Sequence, residues 1–170
     1  MNQRIVAFIA MLFISMLFTP MLSIAASNSL AAPDNQANAS KSKPNIILIL
    51  ADDLGYGDIG SYGSTTIKTP NIDSMAQQGA KFNEFYAASP VCTPSRAGLL
   101  TGRYPIRQGI HQVFYPESFQ GMDPEEITIA ELLKDAGYAT GLVGKWHLGH
   151  HDKYMPWNQG FDTFFGLPYS

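Results

Sequence analysis

The sequence predicts an α/β fold, in which a mostly parallel sheet is flanked by helices. The first observation is a continuously apolar run, Asn45–Ala51, which is typical of a strand buried on both faces of a parallel sheet. The second is that helix signals and further short apolar segments alternate after it. This order of strands and helices implies right-handed crossovers between parallel strands.

Composition limits the class of protein. The chain has 170 residues, of which 45% are hydrophobic, and a formal net charge of −3. This is enough for one globular domain with its own core. The charge is nearly balanced and forms no basic block, so we expect no nucleic-acid partner. A single cysteine cannot form an internal disulfide.

The first residues have the pattern of a secretory signal peptide, predicted over residues 1–26. Arg4 precedes the apolar run Ile5–Phe18, and a region of small residues follows. An uncleaved membrane anchor is the alternative, but Pro20 and the small residues favour cleavage, so we expect no stable anchor in the mature protein. Residues 27–43 are polar and lack an apolar period, which predicts a disordered linker. The predicted location is therefore periplasmic or secreted.

Two adjacent carboxylates follow the first predicted strand. Asp52 and Asp53 stand at its carboxyl end, which is where ligands bind in open α/β sheets. Neighbouring carboxylates repel each other unless a cation or a hydrogen-bond network compensates. Metal binding is one interpretation, and turn formation or helix capping is the other.

The only cysteine of the chain follows a short helix, predicted to begin at Thr69-Pro70-Asn71, and a predicted strand over Ala80–Ala87. Ser95 is a good N-cap for the next helix, and Gly102 suits the left-handed residue that closes it. Cys92 would then lie just ahead of a helix N-terminus, which lowers the pKa of a thiol and suits an anionic substrate. A buried structural cysteine is the alternative.

The remaining segments alternate between loop, helix and strand. Arg103–Gln120 is predicted to be an irregular aromatic loop, and Asp123-Pro124-Glu125-Glu126 a helix start. Tyr138–Val143 predicts a further short strand. Lys145 and His147 follow this strand and are separated by one residue, so on an extended chain both side chains would point to one side.

Four blocks of the sequence, taken in order, resemble those of the sulfatase family, which has an alkaline-phosphatase-like fold. They are Asn45–Asp53 with Gly55-Tyr56-Gly57, Cys92–Arg96 with Leu100–Arg103, Gly144–Gly149, and Gly160–Gly166. The resemblance covers residues 44–170, and the ending Gly166–Ser170 is most similar to the arylsulfatase A-like branch. It implies that residues 44–170 are the N-terminal part of a sulfatase catalytic domain, with a fold incomplete on its C-terminal side.

The resemblance also implies a reaction, the hydrolysis of sulfate esters. Cys92 would be oxidised to formylglycine by a separate maturation enzyme, and the aldehyde hydrate would be the nucleophile. Arg96 would hold the formylglycine, and Lys145 would contact the sulfate. His147 would hydrogen-bond the second hydroxyl of the hydrate and act as the base for sulfate elimination.

A divalent cation is implied as well, with calcium expected. Asp52, Asp53 and the modified Cys92 would bind it, and the ion would polarise the sulfate. The family carries further metal ligands, a histidine and a lysine in its later part, and none has a counterpart before Ser170. We therefore expect the 170-residue chain to be an incompetent sulfatase on its own.

Two other functions remain open at the level of the sequence. One is phosphate-ester hydrolysis by the related fold, against which Cys92 argues, because those relatives use serine or threonine as the nucleophile. The other is a non-catalytic truncated remnant that binds sulfated ligands. The substrate itself cannot be read from the sequence, so aryl, carbohydrate and glycosaminoglycan sulfates are all open.

Overall fold

The computed structural model describes residues 43–169. The predicted signal peptide, residues 1–26, lies outside the described residues, as does all of the predicted linker except Lys43. The chain divides into two units after Leu48. Residues 43–48 are exposed and contain no helix or strand, and every element below belongs to residues 49–169.

The sheet in the described part of the chain has two parallel strands. They are β1, Gly141–Lys145, and β2, Thr163–Leu167, paired in register along their whole length. The pairing continues past β1, where the His147 N–H donates to the Pro168 carbonyl at 3.0 Å. The parallel sheet flanked by helices is thus confirmed, with β1 overlapping the strand predicted at Tyr138–Val143 but beginning three residues later.

Two predicted strands are wrong. Asn45–Ala51 and Ala80–Ala87 form no strand, and their apolar side chains are exposed, Ile47 to 84%. A buried strand needs a hydrogen-bonded neighbour for its backbone and a cover for its side chains. Among residues 43–169 only β1 and β2 pair, so neither run has such a neighbour.

Three α-helices accompany the sheet: α1, Pro70–Gln78; α2, Cys92–Thr101; and α3, Ile129–Asp135. Short 3-10 turns cover Tyr56–Asp58, Gly60–Tyr62, Pro105–Gln108, Asp152–Tyr154 and Pro156–Asn158. No helix among residues 43–169 has the length and apolar character needed to cross a membrane. As predicted, α1 has proline at its first position, where the missing N–H costs nothing.

The start of α2 differs from the prediction. Its N-cap is Val91, so Cys92 is the first helical residue and Ser95 lies inside the first turn. Its end is as predicted, because Gly102 adopts the left-handed conformation at φ 65° and its N–H donates to the Gly98 carbonyl.

The start of α3 is also displaced. The predicted start at residues 123–126 forms only a turn, in which the Glu126 N–H donates to the Asp123 carbonyl at 3.0 Å. The helix begins instead after Thr128, whose hydroxyl accepts from the Glu131 N–H while the Glu131 carboxylate accepts from the Thr128 N–H. This second signal prevails because two orphan donors are satisfied at once and Ala130 enters the core.

The core lies between α2, the loop after it and the stretch that follows β1. Its buried apolar residues are Ala97, Ile110, Phe114, Met122, Trp146 and Leu148. The predicted aromatic loop, Arg103–Gln120, is divided in its role: Ile110 and Phe114 are buried, whereas Tyr115 and Phe119 are exposed. The packed core therefore adjoins the end of β1, where two of the predicted site residues, Lys145 and His147, lie.

Candidate active site

Cys92 opens α2 and is a free, partly buried thiol. The next two residues, Thr93 and Pro94, are fully buried and fix this end of the helix in the protein. The N-terminus of a helix favours negative charge because its first N–H groups lack helical partners. Arg96 lies four residues later, so it shares a face of the helix with Cys92.

The Arg96 guanidinium connects α2 to the end of β1. Its Nη1 donates to the Lys145 carbonyl at 2.7 Å, and its Nη2 lies 3.5 Å from Oδ1 of Asp52. Its side chain is only 11% exposed. The structure thereby brings three of the predicted site residues into one contact group beside the start of α2.

Asp52 and Lys145 form the closest charged pair of this group. The Lys145 Nζ donates to Oδ2 of Asp52 at 2.7 Å. The hydrogen bond from Lys145 is the main cause that lowers the pKa of Asp52; burial opposes it, and the charges of Lys145 and Arg96 lower the pKa further. With two cations against one carboxylate, the group carries a net charge of about +1, which suits an anionic ligand.

His147 lies two residues beyond Lys145 and is 2% exposed. Its Nε2 is 2.8 Å from the Phe114 carbonyl oxygen. Burial lowers the pKa of His147, the bond to Phe114 opposes this, and the charges of Lys145 and Arg96 lower it further. The ring is therefore neutral near pH 7 and able to accept a proton.

Two site residues have an unusual backbone. Asp53, at φ 58°, and His147, at φ 59°, are the non-glycine residues with positive φ in the described part of the chain. This conformation is uncommon outside glycine, and strained residues cluster at functional sites. The positive φ of His147 also corrects one expectation. Because His147 is left-handed, the side chains of Lys145 and His147 do not follow the alternation of an extended strand.

Asp52 and Asp53 are two of the residues that the sequence predicted to bind a divalent cation. Asp52 and Asp53 supply oxygen donors of the type that hard cations prefer. Among residues 43–169, however, no group of three or more histidine, cysteine, aspartate or glutamate side chains is arranged to hold a metal ion. Both Asp52 oxygens also face the cationic groups of Lys145 and Arg96. The donor chemistry fits a divalent cation, but the described residues do not complete its shell.

Sequence reasoning missed two groups that touch this site. The Phe114 carbonyl contacts His147, and the Thr93 hydroxyl accepts from the Phe114 N–H at 3.1 Å. A main-chain carbonyl has no sequence signal, because every residue carries one. Thr93 is adjacent to Cys92 in the C-T-P-S-R block, so its position offered the only clue.

Comparisons with known proteins agree on one family. A family model described as Sulfatase matches residues 44–170. Human arylsulfatase G is 52% identical over 128 residues, covering 75% of this chain and 24% of that protein. Human arylsulfatase A is 52% identical over 130 residues, covering 75% of this chain and 26% of that protein. The chain thus spans about a quarter of the length of these curated relatives.

A solved structure has a similar fold. The crystal structure of Ps i-CgsB in complex with k-i-k-neocarrahexaose superposes with a TM-score of 0.73 at 45% sequence identity. The match covers 75% of this chain and 29% of that one. The similarity therefore concerns both the sequence and the arrangement of most of the described residues.

Proposed function

Because the chain belongs to the sulfatase family, we propose that it carries the nucleophile-bearing part of a site that hydrolyses sulfate esters. One observation supports this most strongly. Cys92 begins a helix whose Arg96 contacts both the Lys145 carbonyl and Asp52, so the helix that starts with one oxidisable residue is joined to a second cationic residue and a carboxylate. Such a group favours a bound sulfate, which carries negative charge throughout its transfer.

Lys145 is the sulfate-binding residue in this proposal. An ammonium group has three N–H donors, and Asp52 accepts from one of them, which leaves two for sulfate oxygens. Arg96 is differently placed, since its guanidinium already serves the Lys145 carbonyl and Asp52. Arg96 therefore orients Lys145 and stabilises the start of α2.

Cys92, once oxidised to formylglycine, would supply a hydrate with two hydroxyls on one carbon. One would attack sulfur and expel the alcohol, and loss of the proton from the other would eject sulfate and regenerate the aldehyde. His147 is the proton acceptor, because burial keeps its imidazole neutral. A thiol lacks the second hydroxyl, so an unmodified Cys92 would leave a sulfated residue without an internal route to release. The proposal therefore requires a maturation enzyme as a partner.

Asp52 and Asp53 would be two oxygen ligands of a divalent cation, with calcium as the proposed ion. The ion would polarise the sulfate and lower the pKa of the attacking hydroxyl. Calcium takes about six to eight oxygens, so further ligands are needed beyond these two carboxylates.

The names of the relatives indicate a substrate class. The curated relatives are named arylsulfatases, and the solved one holds an oligosaccharide, so we propose an aryl or carbohydrate sulfate. From the signal peptide predicted at residues 1–26, we propose that the reaction takes place in the periplasm or outside the cell.

The test is sulfate release from an aryl sulfate by the full chain, produced together with a formylglycine-generating enzyme. Because the described residues offer a cation only two carboxylates, the assay uses chain in excess over substrate, so that a single slow reaction per molecule is detected. We expect release far slower than that of a complete sulfatase, and we expect it to require Cys92, with Cys92→Ala as the inactive control and the matching aryl phosphate as a poor substrate. Equal release by Cys92→Ala, or a preference for the phosphate, would overturn the proposal.

A further inference from the structure

We propose that Thr93 is a positioning residue for His147. It acts through the backbone of Phe114 and holds the imidazole in the tautomer with the proton on Nε2, so that Nδ1 is the atom that accepts a proton. The catalytic meaning rests on the proposed function, whereas the tautomer and its cause rest on geometry alone.

The first step concerns the imidazole. A carbonyl oxygen can only accept a hydrogen bond, so the Nε2 that lies 2.8 Å from the Phe114 oxygen must be the donor. A neutral His147 therefore carries its single proton on Nε2 and a lone pair on Nδ1. This Nδ1 is shielded from solvent and has no hydrogen-bond partner within the described part of the chain. The basic atom of the site is thus buried and unused.

The second step concerns the carbonyl. Phe114 is held from two sides: its ring is buried in the core, and its N–H donates to the Thr93 hydroxyl at 3.1 Å. Thr93 is 0% exposed, so water cannot replace its oxygen. A buried N–H without an acceptor is costly, and the loop would move to satisfy it. Phe114 would then present its carbonyl elsewhere.

The third step connects the two reacting groups. Thr93 directly follows Cys92 at the start of α2. Its hydroxyl therefore links the helix that carries the proposed nucleophile to Phe114, whose carbonyl contacts the proposed base. His147 has little freedom of its own, because its backbone is left-handed and both Trp146 and Leu148 are buried beside it. The Phe114 carbonyl therefore decides which ring nitrogen carries the proton.

A purely structural hydroxyl would affect stability without affecting the tautomer, and this separates the two roles. The probe is long-range ¹H–¹⁵N correlation spectroscopy of the full, unmodified chain with labelled histidine, at a pH where the ring is neutral. The signals of His147 are assigned by their loss in His147→Gln. No substrate is needed, so a failure of sulfate release leaves this measurement intact.

We expect protonated Nε2 and bare Nδ1 in the wild type, in Thr93→Ser, which keeps the hydroxyl, and in Thr101→Val. Thr101 is the matched control, since it lies on the same helix and its hydroxyl donates to the Ala97 carbonyl and accepts from Arg103 and Gln108, none of which holds Phe114 or His147. In Thr93→Val we expect this single pattern to be lost, with both tautomers populated. If Thr93→Val does not fold, Thr93→Ala replaces it in the comparison with Thr93→Ser.

A wild-type His147 protonated on Nδ1 would overturn the inference. So would a folded Thr93→Val, or its alanine replacement, that keeps the wild-type pattern, because the hydroxyl would then have no influence on the ring.

Discussion

Residues 49–91, the exposed segment, and residues 92–169, the packed segment, hold their site residues by different means. Every buried residue of these two segments lies in the packed segment, which includes the whole apolar core. The exposed segment is held by polar contacts, such as the Ser61 N–H on the Asp73 carboxylate and the Lys81 ammonium on the Ser61 carbonyl. Apolar packing therefore stabilises the packed segment, whereas hydrogen bonds stabilise the exposed segment.

The site draws on both segments. Cys92, Arg96, Lys145 and His147 come from the packed segment, and Asp52 and Asp53 come from the exposed one. Asp52 pairs with two charged groups of the packed segment, at 2.7 Å from Lys145 and 3.5 Å from Arg96. The difference leads us to expect that added salt leaves Cys92 and His147 in place, whereas it weakens the contacts that hold Asp52.

The largest expected effect comes from the core of the packed segment. Trp146 is 1% exposed, lies between Lys145 and His147, and donates to the Tyr154 carbonyl. We expect Trp146→Ala to lower the free energy of unfolding by about 3–5 kcal/mol, measured by urea denaturation. The matched change in the exposed segment is Phe85→Ala, where the side chain is 65% exposed, with an expected effect within about 0.5 kcal/mol. Similar losses for both would remove the distinction between the segments.

The next effect compares two helix starts. The Thr128 hydroxyl caps α3 and also donates to the buried Gln159 carbonyl at 2.8 Å. We expect Thr128→Ala to cost about 1–2 kcal/mol in thermal or urea unfolding, and Thr128→Ser to restore most of it. The hydroxyl of Thr69, the N-cap of α1, accepts from the Gly60 N–H and donates to the Asp73 carboxylate, but it makes no capping bond and is only half-buried, so Thr69→Ala should cost less. The reverse order would show that α1 is the better anchored helix.

These elements show what the sequence could and could not predict. The start of α1 at Pro70 and the end of α2 at Gly102 were predictable, because each depends on a local backbone preference. The absence of a strand at Asn45–Ala51 was not predictable, since pairing depends on a neighbour elsewhere in the chain. Thr128 and Asp123 both fit a helix start, and α3 begins after Thr128 because its capping bonds form together with the burial of Ala130.

The site follows the same division. Asp52, Arg96 and Lys145 were named for their chemistry, and the structure brings them together. The left-handed backbone of His147 was unpredictable, because nothing local to the residue requires it. The contact with the Phe114 carbonyl was equally hidden, since it depends on how a loop packs and not on a side chain.

A smaller effect concerns pH in the packed segment. The ion pair with Lys134 at 2.6 Å, together with the Thr140 N–H, lowers the pKa of Asp162 from 3.8 to about 2. Since folding favours the ionised form, this contribution is present above pH 3.8 and is lost as the pH falls towards 2. We expect Asp162→Asn to flatten the stability profile in this window, measured by urea midpoints. Lys134→Met should reduce the same slope, and an unchanged profile in both variants would contradict the assignment.

The smallest effect lies where the two segments meet. A double-mutant cycle of Asp52→Asn and Lys145→Met should give a coupling energy below about 1 kcal/mol, because Asp52 is partly exposed. Added salt should reduce this coupling further. A larger coupling that salt leaves unchanged would show that the exposed segment is packed against the rest after all.

The central claim is that Cys92 is the precursor of the nucleophile, and one measurement tests it directly. The full chain is produced together with a formylglycine-generating enzyme, digested, and the peptide containing Cys92 is weighed by mass spectrometry, with Cys92→Ala as the reference. We predict that the peptide has lost sulfur, gained an aldehyde oxygen and reacts with a carbonyl probe. A peptide that keeps its thiol in every molecule would contradict the account.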